Sequence, residues 1–344
     1  MGNTDAQGPS GPGGAGLLRA LGWDNQWNEV LHALKLPGVR PARIVRVDRG
    51  ECDVVSARGR ERVISDSTRA QGATAPVTGD WIAVVDDAAD SAARIAAVLS
   101  RRHTLTRRDP GERVAEQVMV ANVDSVAIVH GLDRRLPPGR LERLLIMAWD
   151  SGAEPIIVLT KSDLDDLYEA RGIARALGGA TAVVDVSRVD GRGVFELRRR
   201  IPIGSTAALV GESGAGKSNL LNLLVGEAVQ ATGRVRQRDA KGRHTTVARE
   251  IHVIPRGGAV IDTPGIRAVG LMASEDTLHR VFADIDDLAR ECRFANCGHG
   301  SEPQCAVQQA VADGTLDPRR LLRYRALAAE IAEQPTERHK RPRR

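Results

Sequence analysis

Eight consecutive residues, Gly211, Glu212, Ser213, Gly214, Ala215, Gly216, Lys217 and Ser218, fit G-x-x-x-x-G-K-[ST] in full. They follow a short apolar strand at 207–210 and precede a helical run that starts at Asn219. That context suits phosphate chemistry. Glycines let the backbone wrap tightly enough to aim its N–H groups at phosphate oxygens. Lys217 reaches the β and γ oxygens, the Ser218 hydroxyl can ligate Mg²⁺, and the positive end of the helix opening at Asn219 adds to the same site.

Forty-four residues beyond Ser218, an apolar strand ends in Asp262-Thr-Pro-Gly265. Asp262 can hold Mg²⁺ through water, and the Gly265 amide can sense a γ-phosphate. Between the two motifs lies a polar, Arg-rich stretch, 231–250, in which Thr245 or Thr246 offers a second Mg²⁺ ligand once the segment is ordered. His244, in the same stretch, reads either as a base for an attacking water or as a structural or RNA-contacting histidine. Upstream, Thr160, Lys161 and Asp163 follow the strand 156–159. An Asp carboxylate there accepts the two hydrogens of the guanine Watson–Crick edge, a donor pair that adenine lacks.

A second chemistry sits near the end of the chain. Cys292, Cys297, His299 and Cys305 place three thiolates and one imidazole within 14 residues. Such a set suits tetrahedral Zn²⁺, and with every position filled by protein the site would be structural. Cys52, set apart from these, reads as a small core residue.

The elements that must position these groups divide the 344 residues into several domains. Residues 1–38 read as a disordered lead-in and a short helix near 22–34, with Trp23 and Trp27 packing. Residues 39–100 are short alternating strands punctuated by Gly and Asp, the pattern of a small all-β barrel of the oligonucleotide-binding type (OB-fold). Arg43, Arg46, Arg49, Arg58, Arg60 and Arg62 make it either an RNA-facing surface or a set of solvated strand edges. A basic connector spans 101–118. Residues 119–275 alternate strand and helix, which predicts an α/β domain with a mainly parallel sheet. A mainly helical zinc-binding domain (276–335) and a basic tail (336–344) complete the chain.

The net charge of +5, from 49 Lys and Arg against 44 Asp and Glu, favours polyanionic partners. With four Trp, two Tyr and three Phe, base stacking is a poor basis for such binding, so phosphate and shape contacts should dominate. No charged-then-apolar leader opens the sequence and no apolar run approaches 18 residues, so a cytoplasmic protein without membrane association is expected.

In chain order the motifs are base reader, phosphate loop, Thr-Thr switch and Asp-Thr-Pro-Gly, whereas conventional GTPases place the base reader last. This order resembles the circularly permuted GTPases. With Gly242-Arg-His-Thr-Thr246, Asp262-Thr-Pro-Gly-Ile-Arg267 and the metal cluster, it resembles the small ribosomal subunit biogenesis GTPase RsgA family over roughly 39–325. The resemblance implies GTP and GDP with Mg²⁺ as ligands, one structural Zn²⁺, and hydrolysis stimulated by the 30S subunit. It further implies 16S rRNA and other assembly factors as partners, late maturation of the decoding region, and action as a monomer.

It assigns Lys217 to catalysis, Ser218 and Thr246 to Mg²⁺, and Asp262 and Gly265 to the second switch. Asp163 would read guanine with Lys161 packed along the base, and Ser187 would help hold the guanine O6. Thr160 stands where the common motif has Asn, and Arg188 where it has Ala. Ile266 replaces the water-orienting Gln of signalling GTPases, so slow intrinsic turnover and partner-driven acceleration are expected. Apart from the resemblance, the same residues also allow a non-ribosomal phosphate-loop NTPase, or a zinc-stabilised RNA-binding module whose nucleotide site tunes affinity.

Overall fold

The computed structural model describes residues 14–65, 74–86, 92–108, 116–164, 168–226, 249–263 and 273–333. Two helices, α1 (Gly14–Ala20) and α2 (Asn25–Ala33), come first. The Asp24 carboxylate accepts the Trp27 N–H at 2.9 Å and so fixes the start of α2. The helix α1 begins inside the segment read as lead-in, and buried Leu18 and Leu21 are what hold it to the rest of the protein.

Five strands follow: β1 (Arg40–Val47), β2 (Glu51–Ser56), β3 (Gly59–Ile64), β4 (Trp81–Asp86) and β5 (Ala93–Val98). They pair in the order β1–β2–β3–β5–β4 and return to β1, with β3–β5 parallel, so the sheet closes into an OB-fold-like barrel. Alternate residues point inward, and Ala42, Ile44, Cys52, Val54, Val63, Ile82 and Val84 fill the interior. Cys52 is one of these core residues.

The basic stretch 101–118, expected to be a connector, instead contributes to an antiparallel ribbon of β6 (Thr104–Arg108) and β7 (Glu116–Ala121). The cause is apolar: Leu105, Met119 and Val120 are buried, and the paired strands are what carry them into the core.

The α/β domain comprises β8 (Ser125–Gly131), α3 (Pro138–Asp150), β9 (Glu154–Thr160), α4 (Tyr168–Gly178), β10 (Ala182–Val186), α5 (Val194–Arg199), β11 (Thr206–Val210), α6 (Lys217–Val225), β12 (Glu250–Val253) and β13 (Ala259–Asp262). Its strand order is β10–β9–β8–β11–β13–β12. All neighbours are parallel except β12, which runs antiparallel to β13. One pairing, Arg46 with Glu250, joins β12 to β1, so among the described residues the sheet continues from this domain into the barrel.

Strand alternation sorts the core into two faces. Ala127, Val129, Ala207 and Leu209 pack with Leu220, Leu221 and Leu224 of α6. Val126, Ile128, Ala208 and Val210 belong to the opposite core, with Leu141, Leu144 and Leu145 of α3. That second core extends into the last helices, α7 (Glu275–Val281), α8 (Ala283–Ala289), α9 (Ala306–Ala312) and α10 (Pro318–Ala332), through Leu278, Phe282, Ile285 and Val307.

Ionic contacts reinforce this junction. Glu142 of α3 is fully buried and accepts from Arg320 Nη1 and Arg323 Nε of α10, each at 2.7 Å. Arg320 also pairs with Asp284 at 2.7 Å, and Arg143 pairs with Glu330 at 2.7 Å. Removing one partner from a buried pair leaves an uncompensated charge, which costs about 3–5 kcal/mol. Asp284 compensates part of the charge on Arg320, so Glu142→Ala should destabilise the fold by about 3 kcal/mol. Urea unfolding checks this, and a loss below about 1 kcal/mol would show that the junction does not depend on the pair.

A buried arginine closes the other seam. The sequence places Arg43 among the RNA-facing or solvated arginines, and the structure corrects this: it is 2% exposed. Its guanidinium donates to the Asn122 carbonyl and the Thr206 hydroxyl at 2.8 Å each, to the Gly79 carbonyl at 3.3 Å, and to the Leu21 carbonyl. It lies over the Trp81 ring, 5.2 Å from its centroid, while Trp23 and Trp27 pack on the same indole. Burial pulls its pKa down to about 10, so the group stays charged at neutral pH. Arg46, Arg58, Arg60 and Arg62 each form an ion pair, with Asp48, Asp86, Glu250 and Glu51 respectively. No described helix is long and apolar enough to cross a membrane.

Candidate nucleotide-binding site and metal centre

The phosphate loop occupies the turn between β11 and α6, at the carboxyl ends of the parallel strands, where open α/β sheets bind ligands. Gly211, Gly214 and Gly216 have φ values of 145°, 78° and 93°, which L side chains rarely adopt. A Cβ on Gly211 would stand 2.2 Å from the Val129 carbonyl oxygen, so the backbone can pass β8 there only as glycine. This cradle fits a polyphosphate: a tight backbone loop ending on a helix N-terminus, with Lys217 beside it. Lys217 Nζ donates to the Gly211 and Glu212 carbonyls at 2.8 and 2.7 Å, which holds the ammonium at the loop. Ser218 and Asn219 lie in the first turn of α6. Asp262 ends β13, in register with Leu209 on the neighbouring β11, and is 5% exposed. Next to it, the Thr263 hydroxyl donates to the Leu209 carbonyl.

Thr160 ties the end of β9 to the phosphate loop: its hydroxyl donates to the Ala215 carbonyl at 2.6 Å. Lys161, held at φ 59°, donates from Nζ to the Gly214 carbonyl at 3.0 Å and pairs with Asp133 at 2.6 Å. Lys161 draws the Asp133 carboxyl below the usual carboxylate range. Ser187, fully buried at the end of β10, donates to Asp163 Oδ1 at 3.0 Å. The Val189 N–H in turn donates to the Ser187 hydroxyl at 3.1 Å. Asp163 is exposed and oriented by this chain, and Arg188 points to solvent. Thus Thr160, Lys161, Asp163, Ser187 and the 211–218 loop converge on one end of the sheet. His244, Thr246, Gly265 and Ile266 lie outside the described residues.

Three side chains at this site escaped the sequence reading: Asp133, Arg134 and Arg140. Arg134 Nη1 donates to the Ser213 carbonyl at 3.3 Å, and Arg140 contacts Glu212. The neighbouring His130 ring nitrogen Nε2 donates to the Arg134 carbonyl at 3.1 Å. Burial lowers the His130 pKa, so the ring is neutral and holds this connection in place. The signal available was the Pro137-Pro138 pair, which marks where the β8–α3 connection must turn into a helix.

The metal candidates converge as well. The ligand atoms of Cys292, Cys297, His299 and Cys305 lie within 4.8 Å of one another. The Cys292–Cys305 sulfur separation is 3.8 Å, and His299 Nδ1 stands 3.7 and 3.6 Å from those sulfurs. A tetrahedron with Zn–S near 2.3 Å and Zn–N near 2.0–2.1 Å has edges of about 3.8 and 3.6 Å, so the donor set fits such an ion. The loop is fixed around it. Gln308 Nε2 donates to the His299 and Gly300 carbonyls at 2.6 and 2.8 Å, and Glu302 accepts from the Gly298 and Gly300 amides at 2.9 and 2.6 Å. Burial lowers the His299 pKa, which keeps the imidazole neutral as a ligand must be.

Comparison with known proteins gives this geometry its family. The model of the RsgA GTPase family matches residues 98–272. A "Small ribosomal subunit biogenesis GTPase RsgA" of Streptomyces coelicolor is 41% identical over 319 residues, covering 91% of this chain and 86% of that protein. The chain belongs to the RsgA GTPase family. An RsgA of Opitutus terrae is 40% identical over 331 residues, covering 92% of this chain and 90% of its own length. Among solved structures, YjeQ from Thermotoga maritima superposes with a TM-score of 0.63 at 24% identity, covering 86% of this chain and 100% of that one. YloQ, described as a circularly permuted GTPase, gives 0.59 at 22% identity, covering 86% and 96%. These two likenesses concern the fold: barrel, permuted GTPase domain and Cys/His-bearing C-terminal region occur here in the RsgA order.

Proposed function

We propose that this protein is a GTP hydrolase acting in biogenesis of the small ribosomal subunit, binding 16S rRNA and releasing GDP and phosphate when the 30S subunit stimulates it. The observation that carries the nucleotide part is the convergence of Asp163, oriented by Ser187, with the phosphate loop tied to the same strand end by Thr160. Membership of the RsgA GTPase family supports the ribosomal part.

In this reading the amides of 211–216 and Lys217 bind the β and γ phosphates, while Lys161 packs along the base that Asp163 reads. Ser218 and Thr246 would hold Mg²⁺, with Asp262 reaching it through water; the ion supplies charge neutralisation on the phosphates. The Gly265 amide senses the γ-phosphate, and His244 is a candidate base for the attacking water. Ile266 cannot orient that water by hydrogen bonding, so the subunit must order the switch residues. Cys292, Cys297, His299 and Cys305 hold a structural Zn²⁺ that shapes an RNA-binding arm. GTP favours docking on the immature subunit, and hydrolysis releases the protein.

The test compares hydrolysis of GTP and ATP with and without purified 30S subunits. GTP-selective turnover that rises with 30S is expected. Equal use of ATP removes the guanine reading, and a zinc-loaded preparation indifferent to 30S removes the ribosomal one. Asp163→Asn should move preference from guanine to xanthine nucleotide by at least about 100-fold, because the amide presents a donor where guanine also donates. Unchanged GTP preference in that variant would place base reading elsewhere.

A further inference from the structure

The loop at 211–218 contains an unusual choice for a site that must accept a polyanion: Glu212, the one carboxylate among its eight residues. The structure accounts for it. Arg140, in the first turn of α3, contacts Glu212 Oε1, and Arg134 Nη1 lies 3.9 Å from Glu212 Oε2 while donating to the Ser213 carbonyl. Arg134 is itself flanked by Asp133, at 3.5 Å, and Asp133 pairs with Lys161. Charges therefore alternate along this side of residues 212–214, in the order Arg140, Glu212, Arg134, Asp133, Lys161.

We propose that Arg140 and Arg134 are positioning residues for the triphosphate: they hold the Glu212 carboxylate against α3 and neutralise it, so an acidic phosphate loop still accepts GTP. The inference rests on reading 211–218 as the triphosphate site. GTP brings about four negative charges to that loop, and an unpaired carboxylate within it would oppose every one of them. The guanidinium groups act through Glu212 rather than on the phosphates, which distinguishes them from Lys217. They follow β8 in the chain, so strand order alone carries them to a loop more than seventy residues later, as the separations of 72 and 79 residues record. Because Arg140 and Glu212 are 41% and 33% exposed, the effect should shrink as salt rises.

The experiment is a mutant cycle in the full chain: Arg140→Ala with Arg134→Ala, in the native and the Glu212→Gln backgrounds. It reads Kd for GTP and GDP by nucleotide fluorescence, together with kcat and KM. In the native background the double arginine variant should weaken GTP by about tenfold and GDP by about threefold, with KM rising and kcat changing less than about twofold. In the Glu212→Gln background the same change should cost less than about twofold, because the carboxylate that needed neutralising has gone. Equal losses in the two backgrounds would overturn the proposal, since the arginines would then act without Glu212. An unaffected native background would overturn it as well.

Unfolding midpoints are measured throughout. Should the alanine variants fail to fold, Arg140→Lys and Arg140→Gln carry the same comparison, with the lysine retaining GTP affinity and the glutamine losing it. Equal affinities of those two would count against the proposal. If the native chain binds no GTP, the reading of the site fails, and that outcome is distinct from a native chain that binds GTP without needing its arginines.

Discussion

Lys217→Ala lowers kcat/KM for GTP by about 1,000-fold, the loss expected when one preorganised charge is removed from a site where charge develops on phosphate. The side chain has no part in the core. Its ammonium is held by the Gly211 and Glu212 carbonyls, and the surrounding cradle is made by backbone that alanine leaves in place. The variant should therefore unfold at the temperature of the native protein. Steady-state hydrolysis with 30S subunits, run beside a thermal melt, separates lost chemistry from lost fold. Activity within tenfold of native would mean that the phosphates are held by something other than this loop.

Loss of a zinc ion from the Cys292, Cys297, His299 and Cys305 centre should act on the fold instead. Structural zinc contributes on the order of 10 kcal/mol to folding in small domains, because ligands gathered in the native state are dispersed in the unfolded one. Cys305 caps α9, accepting from the Gln308 N–H, and Val307 in the helix's first turn belongs to the core shared with α3 and α7. Chelation, or Cys305→Ser, should therefore release α9 and loosen α10 from α3. Hydrogen exchange across 306–332 should rise by orders of magnitude, while the barrel strands keep their protection. Metal analysis of the purified native protein should give one zinc per chain. An equally protected, metal-free chain would remove zinc from the account.

The parallel strands and the phosphate loop were legible in the sequence because each is a local pattern. Apolar strands ending in Gly or polar residues announce their own period, and the strand read at 207–210 is β11 to within one residue. The metal cluster was legible because its ligand spacing is local too. What escaped depends on long-range partners. The strand β12 lies at the edge of a polar, Arg-rich stretch and becomes a strand only because β13 and β1 lie beside it. Arg43 looks like Arg40 and Arg46, the partly exposed arginines three residues to either side in β1, yet its oxygen partners come from residues 21, 79, 122 and 206. Glu142 and Arg320 are likewise 178 residues apart, a pairing that no helical periodicity reveals.

Arg43 also imposes an order in time. It is made early, but its Thr206 partner follows 163 residues later. At about 5–20 residues per second, the emerging barrel waits roughly 8–30 s before the last acceptor exists. Until then the guanidinium cannot be dry and satisfied at once, so it must stay hydrated and the flank of the barrel ajar. The domain synthesised first thus completes its packing only after three of the six strands of the nucleotide-binding sheet, β8 to β10, have been made.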